Sequence, residues 1–182
     1  SSHYYVLFFT TKGRVYRKKC YEIPEGSRTS KGTNIVNILP LEADEKVASM
    51  IRVPAFEDGQ FIVFVTRKGI IKRTELNAYN TTRKGGVIAL TINDGDELAW
   101  VRLTNGNNDL IVGTKEGIAI RFNENDVRPM GRSARGVKAI TLEDGDEVVG
   151  MARTRDGATL LTVTEQGLGR RTELDQYRVQ TR

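Results

Sequence analysis

The sequence predicts an all-β protein built as a propeller-like array of four-stranded blades, about three and a half repeats long. Three observations predict it. The pattern Thr-x-x-Gly returns four times, at Thr10–Gly13, Thr66–Gly69, Thr114–Gly117 and Thr164–Gly167, with the glycines stepping by 56, 48 and 50 residues. Four residues after each glycine stands an arginine: Arg17, Arg73, Arg121 and Arg171. The apolar stretches are short, rich in β-branched and aromatic residues, and bounded by turn residues, as strands are. A strand-built period near fifty residues is the signature of a blade array.

Each unit opens on an apolar strand, such as Tyr4–Phe9, Phe61–Val65, Leu110–Val112 or Thr159–Val163. Thr-x-x-Gly then turns the chain, its glycine supplying a positive φ without steric cost. A second strand follows, at Ile70–Thr74 or Ile118–Phe122. Next comes a polar connection with basic residues and glycine: Arg28–Gly32, Arg83–Gly86 and Arg132–Gly136. A third strand is expected at Ile35–Ile38, Val87–Leu90 and Val137–Ile140. An acidic turn follows, at Leu41–Glu45, Asn93–Glu97 and Glu143–Glu147. A fourth strand closes the unit at Val47–Ile51, Leu98–Arg102 and Val148–Ala152. Helix is confined to short turns near Glu75–Asn77, Glu124–Asp126 and Glu173–Asp175. The repeats divide as 1–53, 54–104, 105–155 and an incomplete 156–182. Without an initiator methionine, and with the last unit stopping inside its basic connection, the sequence reads as an excerpt of a longer chain.

Charge is sorted by phase within the repeat. From the first turn through the basic connection, residues 14–34 carry +4, 67–86 carry +5, 115–138 carry +3 and 165–182 carry +1. The whole chain is only +5, so the remaining segments sum to −8. Equivalent positions of a repeat array share a surface. The basic connections therefore form one stripe, the footprint expected for a phosphate backbone. The candidate contacts in the first unit are Arg17, Lys18, Lys19, Arg28 and Lys31. The second unit offers Lys72, Arg73, Arg83 and Lys84, and the third Arg121, Arg128, Arg132 and Arg135. The fourth offers Arg170, Arg171, Arg178 and Arg182. Arginine grips phosphate bidentately, lysine acts as a point charge, and glycine lets backbone amides approach. Nothing resembles a recognition helix, zinc finger or RNP aromatic pair, so backbone contact with bending is expected. Tyr21, Tyr79 and Tyr177, just before basic connections, are read as blade packing.

Other chemistry finds no footing. His3 is the only histidine, so no His-dependent triad or His metal site is expected. The Asp-Gly-Asp-Glu turns lack the spaced ligands of an EF-hand loop. Gly167-Leu168-Gly169 lacks the third glycine of a dinucleotide fingerprint. No catalytic residue, metal or cofactor is assigned. The single Cys20 excludes an intrachain disulfide and is read as a partly buried thiol. No apolar run approaches the ~20 residues of a membrane span.

Several runs carry a resemblance. Lys12–Tyr16, Ile35–Glu42, Asp94–Leu98, Val127–Arg132 and Gly136–Ile140 resemble the C-terminal domain of the bacterial DNA gyrase A protein. The similarity runs over essentially the whole chain. The resemblance implies a β-pinwheel whose blades exchange strands, with duplex DNA wrapped around a basic rim in support of ATP-driven negative supercoiling. It implies partnership with the gyrase A N-terminal region and with gyrase B, in the nucleoid-associated cytoplasm of a bacterium. ATP and Mg2+ would serve other parts of that assembly. The family's basic box, Gln-Arg-Arg-Gly-Gly-Lys-Gly, is absent; the nearest stretches are Thr82–Gly86 and Gln180–Arg182. The box lies in the family's first blade, so the chain is expected to hold blades two to four and part of the fifth. Two alternatives stand beside this reading: the related domain of the topoisomerase IV A protein, and a propeller that binds an acidic protein.

Overall fold

The computed structural model describes residues 3–182, and its strands follow the repeat. Each unit is centred on an antiparallel hairpin: β1 (Tyr5–Thr10) with β2 (Arg14–Lys19), β4 (Phe61–Thr66) with β5 (Ile70–Glu75), β8 (Asp109–Thr114) with β9 (Ala119–Asn123), and β12 (Thr159–Val163) with β13 (Gly169–Glu173). The closing strands β3 (Val47–Val53), β7 (Leu98–Thr104) and β11 (Val148–Arg153) pair with the first strand of their own unit.

The turn explains the threonine as well as the glycine. In all four turns the glycine amide donates to the threonine carbonyl, at 2.9–3.1 Å. The threonine Oγ1 accepts the amide of the residue after the glycine at 3.1–3.2 Å. The glycine φ angles of +81 to +85° complete the reversal.

The third strands are exchanged between units. β6 (Val87–Ile88) pairs with β2 of the preceding unit, Val15 facing Val87, and β10 (Val137–Lys138) pairs with β5, Ile71 facing Val137. Two sheets therefore have four strands, in the orders β3-β1-β2-β6 and β10-β5-β4-β7. The ladders are two residues long, shorter than the four-residue strands expected at Val87–Leu90 and Val137–Ile140. The strand expected at Ile35–Ile38 is instead a 3-10 turn, Ile35–Asn37, capped by Asn34. Gly86 and Gly136 enter the exchanged strands at φ +75° and +97°. Ile35 stands at the corresponding position, and a branched side chain does not adopt that backbone.

β3 packs beside β7, and β7 beside β11, so the closing strands converge on a common axis. The exchanged strands occupy the opposite sheet edges and form the perimeter. Between the first two sheets lies a core of Leu7, Phe9, Val15, Ile62, Phe64, Leu76 and Tyr79. There Phe9, Phe64 and Tyr79 meet edge to face at 5.2–5.9 Å. A second core, with Val63, Val65, Ile71, Leu110, Val112 and Phe122, joins the next pair of sheets. The second blade thus buries both sides of its hairpin, as its continuous apolar run requires, whereas the β12–β13 hairpin is largely exposed. Cys20 is half-buried. Among the described residues no helix is long and apolar enough to cross a membrane.

Candidate nucleic-acid interface

In the first three units the arginine that follows the glycine is a joint between blades. The Arg73 Nε donates to the Val127 carbonyl at 2.8 Å, and its Nη1 reaches Asn125 at 3.3 Å and Glu124 at 3.5 Å, all in the next unit. Arg121 repeats the arrangement, donating to the carbonyls of Leu174 at 2.8 Å and Tyr177 at 3.3 Å while Asp109 holds it at 2.9 Å. Arg17 donates to Asn80 of the next unit at 2.6 Å and lies 4.7 Å from the Tyr5 ring centre. Backbone bonds run alongside, from Met130 to the Arg73 carbonyl and from Gln180 to the Arg121 carbonyl, both at 2.8 Å. Arg171, at the same phase in the last unit, is exposed.

Three of the sequence-predicted contacts therefore need correction, and a fourth, Arg17, is partly committed. Arg73 is 5% exposed and Lys72 wholly buried, so neither is free to meet a phosphate. Arg121 is largely buried with its guanidinium committed, and that of Arg17 is engaged. The Lys72 Nζ donates to the carbonyls of Ala89 at 2.6 Å and Arg132 at 2.5 Å. Burial, reinforced by the charge of Arg132, pushes its ammonium down to about 7. Sequence alone could not separate these cations from the rest, because a buried joint and a surface contact use the same residue type at the same spacing.

The basic connections lie on the perimeter, two of them leading into the exchanged strands. Arg28, Lys31, Arg83, Lys84, Arg128, Arg132 and Arg178 are exposed there. Among the described residues the ion pairs lie elsewhere. Arg135 reaches Asn93 at 2.7 Å, and Arg182 bonds the carbonyls of Asp126 at 3.0 Å and Lys138 at 2.9 Å, so both are partly committed. Arg170 is exposed on β13, Lys18 is half-buried on β2, and Lys19 is exposed with its Nζ 5.5 Å from the Tyr21 ring. Sequence reading missed Lys138, exposed on the exchanged strand beside these loops. Its place at a strand position, outside the Gly-rich run, concealed it.

The loop backbones are firmly seated even though their cations are free. A Cβ on Gly136 would stand 2.4 Å from the Ile71 carbonyl, and one on Gly86 2.8 Å from the Tyr16 ring. Arg14 donates to the Gly85 carbonyl. The Ala89 and Ala139 amides donate to the carbonyls of Gly13 and Gly69 at 2.7 and 2.8 Å.

The acidic turns serve a different purpose. Asp96 accepts the amides of Lys68 at 3.0 Å and Glu97 at 2.8 Å, and Asp146 those of Glu116 at 3.1 Å and Glu147 at 2.8 Å. Burial alone would raise the Asp146 carboxyl, but the Thr114 hydroxyl and the surrounding amides outweigh it and hold it below the ordinary carboxylate range. Glu45 fills this role in the first unit, accepting from the Thr10 hydroxyl at 2.7 Å. Arg67 pairs with Glu97, and Lys12 with Glu42 and Asp44 at 2.6 Å each. The acids latch the hairpin turns.

The tyrosines divide. Tyr79 is buried and donates to the Ala89 carbonyl at 2.8 Å, which is blade packing. Tyr21 is 65% exposed and, counted from its glycine, stands in phase with Asn77 rather than Tyr79, so its expected packing role is corrected. Among the described residues no group of three or more His, Cys, Asp or Glu is placed to hold a metal ion.

Comparison with known proteins agrees with this architecture. The family model described as "DNA gyrase C-terminal domain, beta-propeller" matches residues 4–54, 60–105, 108–155 and 158–182. The DNA gyrase A protein of Clostridium acetobutylicum is 57% identical over 182 residues, all of this chain and 22% of the relative. That of Lawsonia intracellularis is 44% identical over 185 residues, all of this chain and 23% of the relative. The chain thus spans about a fifth of the length of these relatives. The solved C-terminal domain of DNA topoisomerase IV superposes with a TM-score of 0.90 at 31% identity, covering all of this chain and 57% of that one. A DNA gyrase A C-terminal domain gives 0.83 at 27% identity, covering 100% and 58%.

Proposed function

The chain belongs to the family of DNA gyrase C-terminal domains, and we propose that it binds, bends and wraps duplex DNA on its perimeter without reading sequence. The observation that carries this is the row of exposed, unpaired cations in the connections, two of which are anchored to the preceding blade where they enter the exchanged strands. Cations left free by their own protein gain counterion-release energy when they meet phosphates. The rim holds no recognition helix, so the contacts position DNA without specifying bases. Bending follows from a curved row, because only a bent duplex reaches successive blades.

Kinship with DNA gyrase A proteins supports placing this wrap in a gyrase assembly, where it feeds ATP-dependent negative supercoiling. The gyrase A N-terminal region and gyrase B are the partners in this reading. Strand cleavage, ATP and Mg2+ belong to those other parts, and the setting is the bacterial nucleoid. The domain works by shape and charge alone.

The test is binding of a random-sequence duplex at increasing salt. Affinity should fall steeply, by about threefold or more for each phosphate contact between 50 and 200 mM salt. Reversing Arg83 and Lys84 to Glu should cost at least about tenfold. Reversing Lys46 and Lys115, exposed beside the acidic turns, should cost far less. Salt-insensitive binding, or equal losses from the two reversals, refutes the rim.

A further inference from the structure

We propose that Lys72 is a positioning residue for DNA binding, fixing from inside the disc the rim segment that carries Arg128, Arg132 and Arg135. The proposal rests on the DNA-wrapping reading above and names a residue that acts without touching DNA.

Lys72 lies on β5 and is wholly buried, yet it has no carboxylate partner among the described residues. Its Nζ spends its hydrogen bonds on two backbone carbonyls, Ala89 at 2.6 Å and Arg132 at 2.5 Å. Ala89 directly follows the exchanged strand that comes after one basic connection, and Arg132 lies within the next connection. One amine therefore ties two neighbouring rim segments together. The engaged carbonyl belongs to Arg132, whose side chain is exposed.

The other units do not repeat this device. Tyr16, Ile120 and Arg170 stand at the same phase. Tyr16 donates only to the Pro40 carbonyl, at 3.2 Å, and Ile120 has nothing to donate. A methionine or leucine would fill the space without desolvating an amine. Burial and the nearby Arg132 charge depress the Lys72 ammonium, so keeping a lysine here carries a cost. What the lysine supplies, and an apolar side chain does not, is a fixed Arg132 backbone. Near it are the Tyr79 hydroxyl, which shares the Ala89 carbonyl at 2.8 Å, and the Phe64 ring, 5.7 Å from the Nζ.

The experiment is a double-mutant cycle on the 182-residue chain, read as affinity for a random-sequence duplex and as melting temperature. Lys72→Met should lower affinity by about three- to tenfold, as one or two phosphate contacts are lost, and flatten the salt dependence. Tyr79→Phe removes a buried hydrogen bond to the same Ala89 carbonyl but does not reach Arg132. It should lower the melting temperature and leave affinity unchanged. With Arg128, Arg132 and Arg135 all replaced by Ala, Lys72→Met should have no further effect on affinity while still lowering the melting temperature. Should Lys72→Met not fold, Lys72→Gln, too short to span both carbonyls, takes its place in the cycle. Wild-type affinity in the lysine variant, an equal loss in Tyr79→Phe, or the same loss in the triple-alanine background overturns the proposal. Failure of the wild type to bind DNA in a salt-dependent way overturns instead the DNA reading on which it rests.

Discussion

Replacing Arg73 by Met should loosen the joint between the second and third blades while sparing DNA binding. The Arg73 side chain is 6% exposed and that of Glu124 wholly buried, so solvent screens the pair little. The substitution removes the 2.8 Å bond to Val127, the contacts to Asn125 and Glu124, and the stacking over Phe61 at 4.5 Å. Breaking a buried pair from one side costs about 3–5 kcal/mol, because the other charge stays behind. Glu124 keeps the Thr104 hydroxyl at 2.6 Å and the Asn108 amide at 2.7 Å, which places the loss near the lower end, about 3 kcal/mol. For a chain of this size that corresponds to a fall of about 6–12 °C in melting temperature. Trp100, the only tryptophan, packs against the core between these two blades, so its fluorescence reports on the joint. Arg73→Met with Glu124→Gln should recover part of the loss by removing the stranded charge. Affinity for random duplex, measured well below the melting point, should stay within about twofold, since no phosphate contact is lost. An unchanged melting temperature with a tenfold loss of affinity would refute the joint and return Arg73 to the rim.

Two further outcomes follow from the same geometry. Lys72 is protonated in the unfolded chain up to about pH 10.4 but loses its proton near pH 7 when folded, so between those values the unfolded state binds more protons and stability rises with pH. Urea melts from pH 7 to 9.5 should show wild type gaining on Lys72→Met by about 1 kcal/mol per pH unit, and a flat difference would contradict the buried ammonium. Gly136→Ala places a Cβ 2.4 Å from the Ile71 carbonyl at φ +97°, so it should cost about 1–3 kcal/mol in a thermal melt and weaken DNA binding by displacing the adjoining basic connection. A variant that matches wild type in both would show that this seat is not needed.

Much of the fold was legible because the repeat repeats its chemistry. The four Thr-x-x-Gly turns gave the hairpins, and the acidic turns marked where the closing strands begin. The exchange of β6 and β10 came from the resemblance, since pairing between units leaves no local trace: Val87 reads as a strand residue whichever hairpin it joins. Ile35 failed for a local reason, a branched residue where two sister units carry a positive-φ glycine. The rim was legible as charge at a fixed phase, but the phase of a residue does not reveal which way it points. Arg73 and Arg83 look alike in sequence. One lies on a hairpin strand that the next blade covers, the other in a connection that nothing covers.

The division of labour between these two kinds of cation bears on how the rim works. A perimeter of like charges repels itself, and an unsupported loop would relieve that strain by spreading or by folding onto nearby acids. Here five carboxylates of the acidic turns are occupied elsewhere, since Asp96 and Asp146 accept backbone amides and Glu97, Glu42 and Asp44 hold Arg67 and Lys12. The loop backbones are also denied freedom, by glycines packed against the preceding blade and by amides bonded to its turns. The ordering cost of the rim is therefore met on folding, by bonds that leave its ammonium and guanidinium groups unpaired, and little of it remains to oppose DNA binding. The buried arginines serve stability instead: they lock each blade to the next and leave the exposed cations of the connections untouched. In the wrap proposed above, a duplex bent around the disc would meet cations already at their working distances, its bending cost set against contacts that need no further ordering.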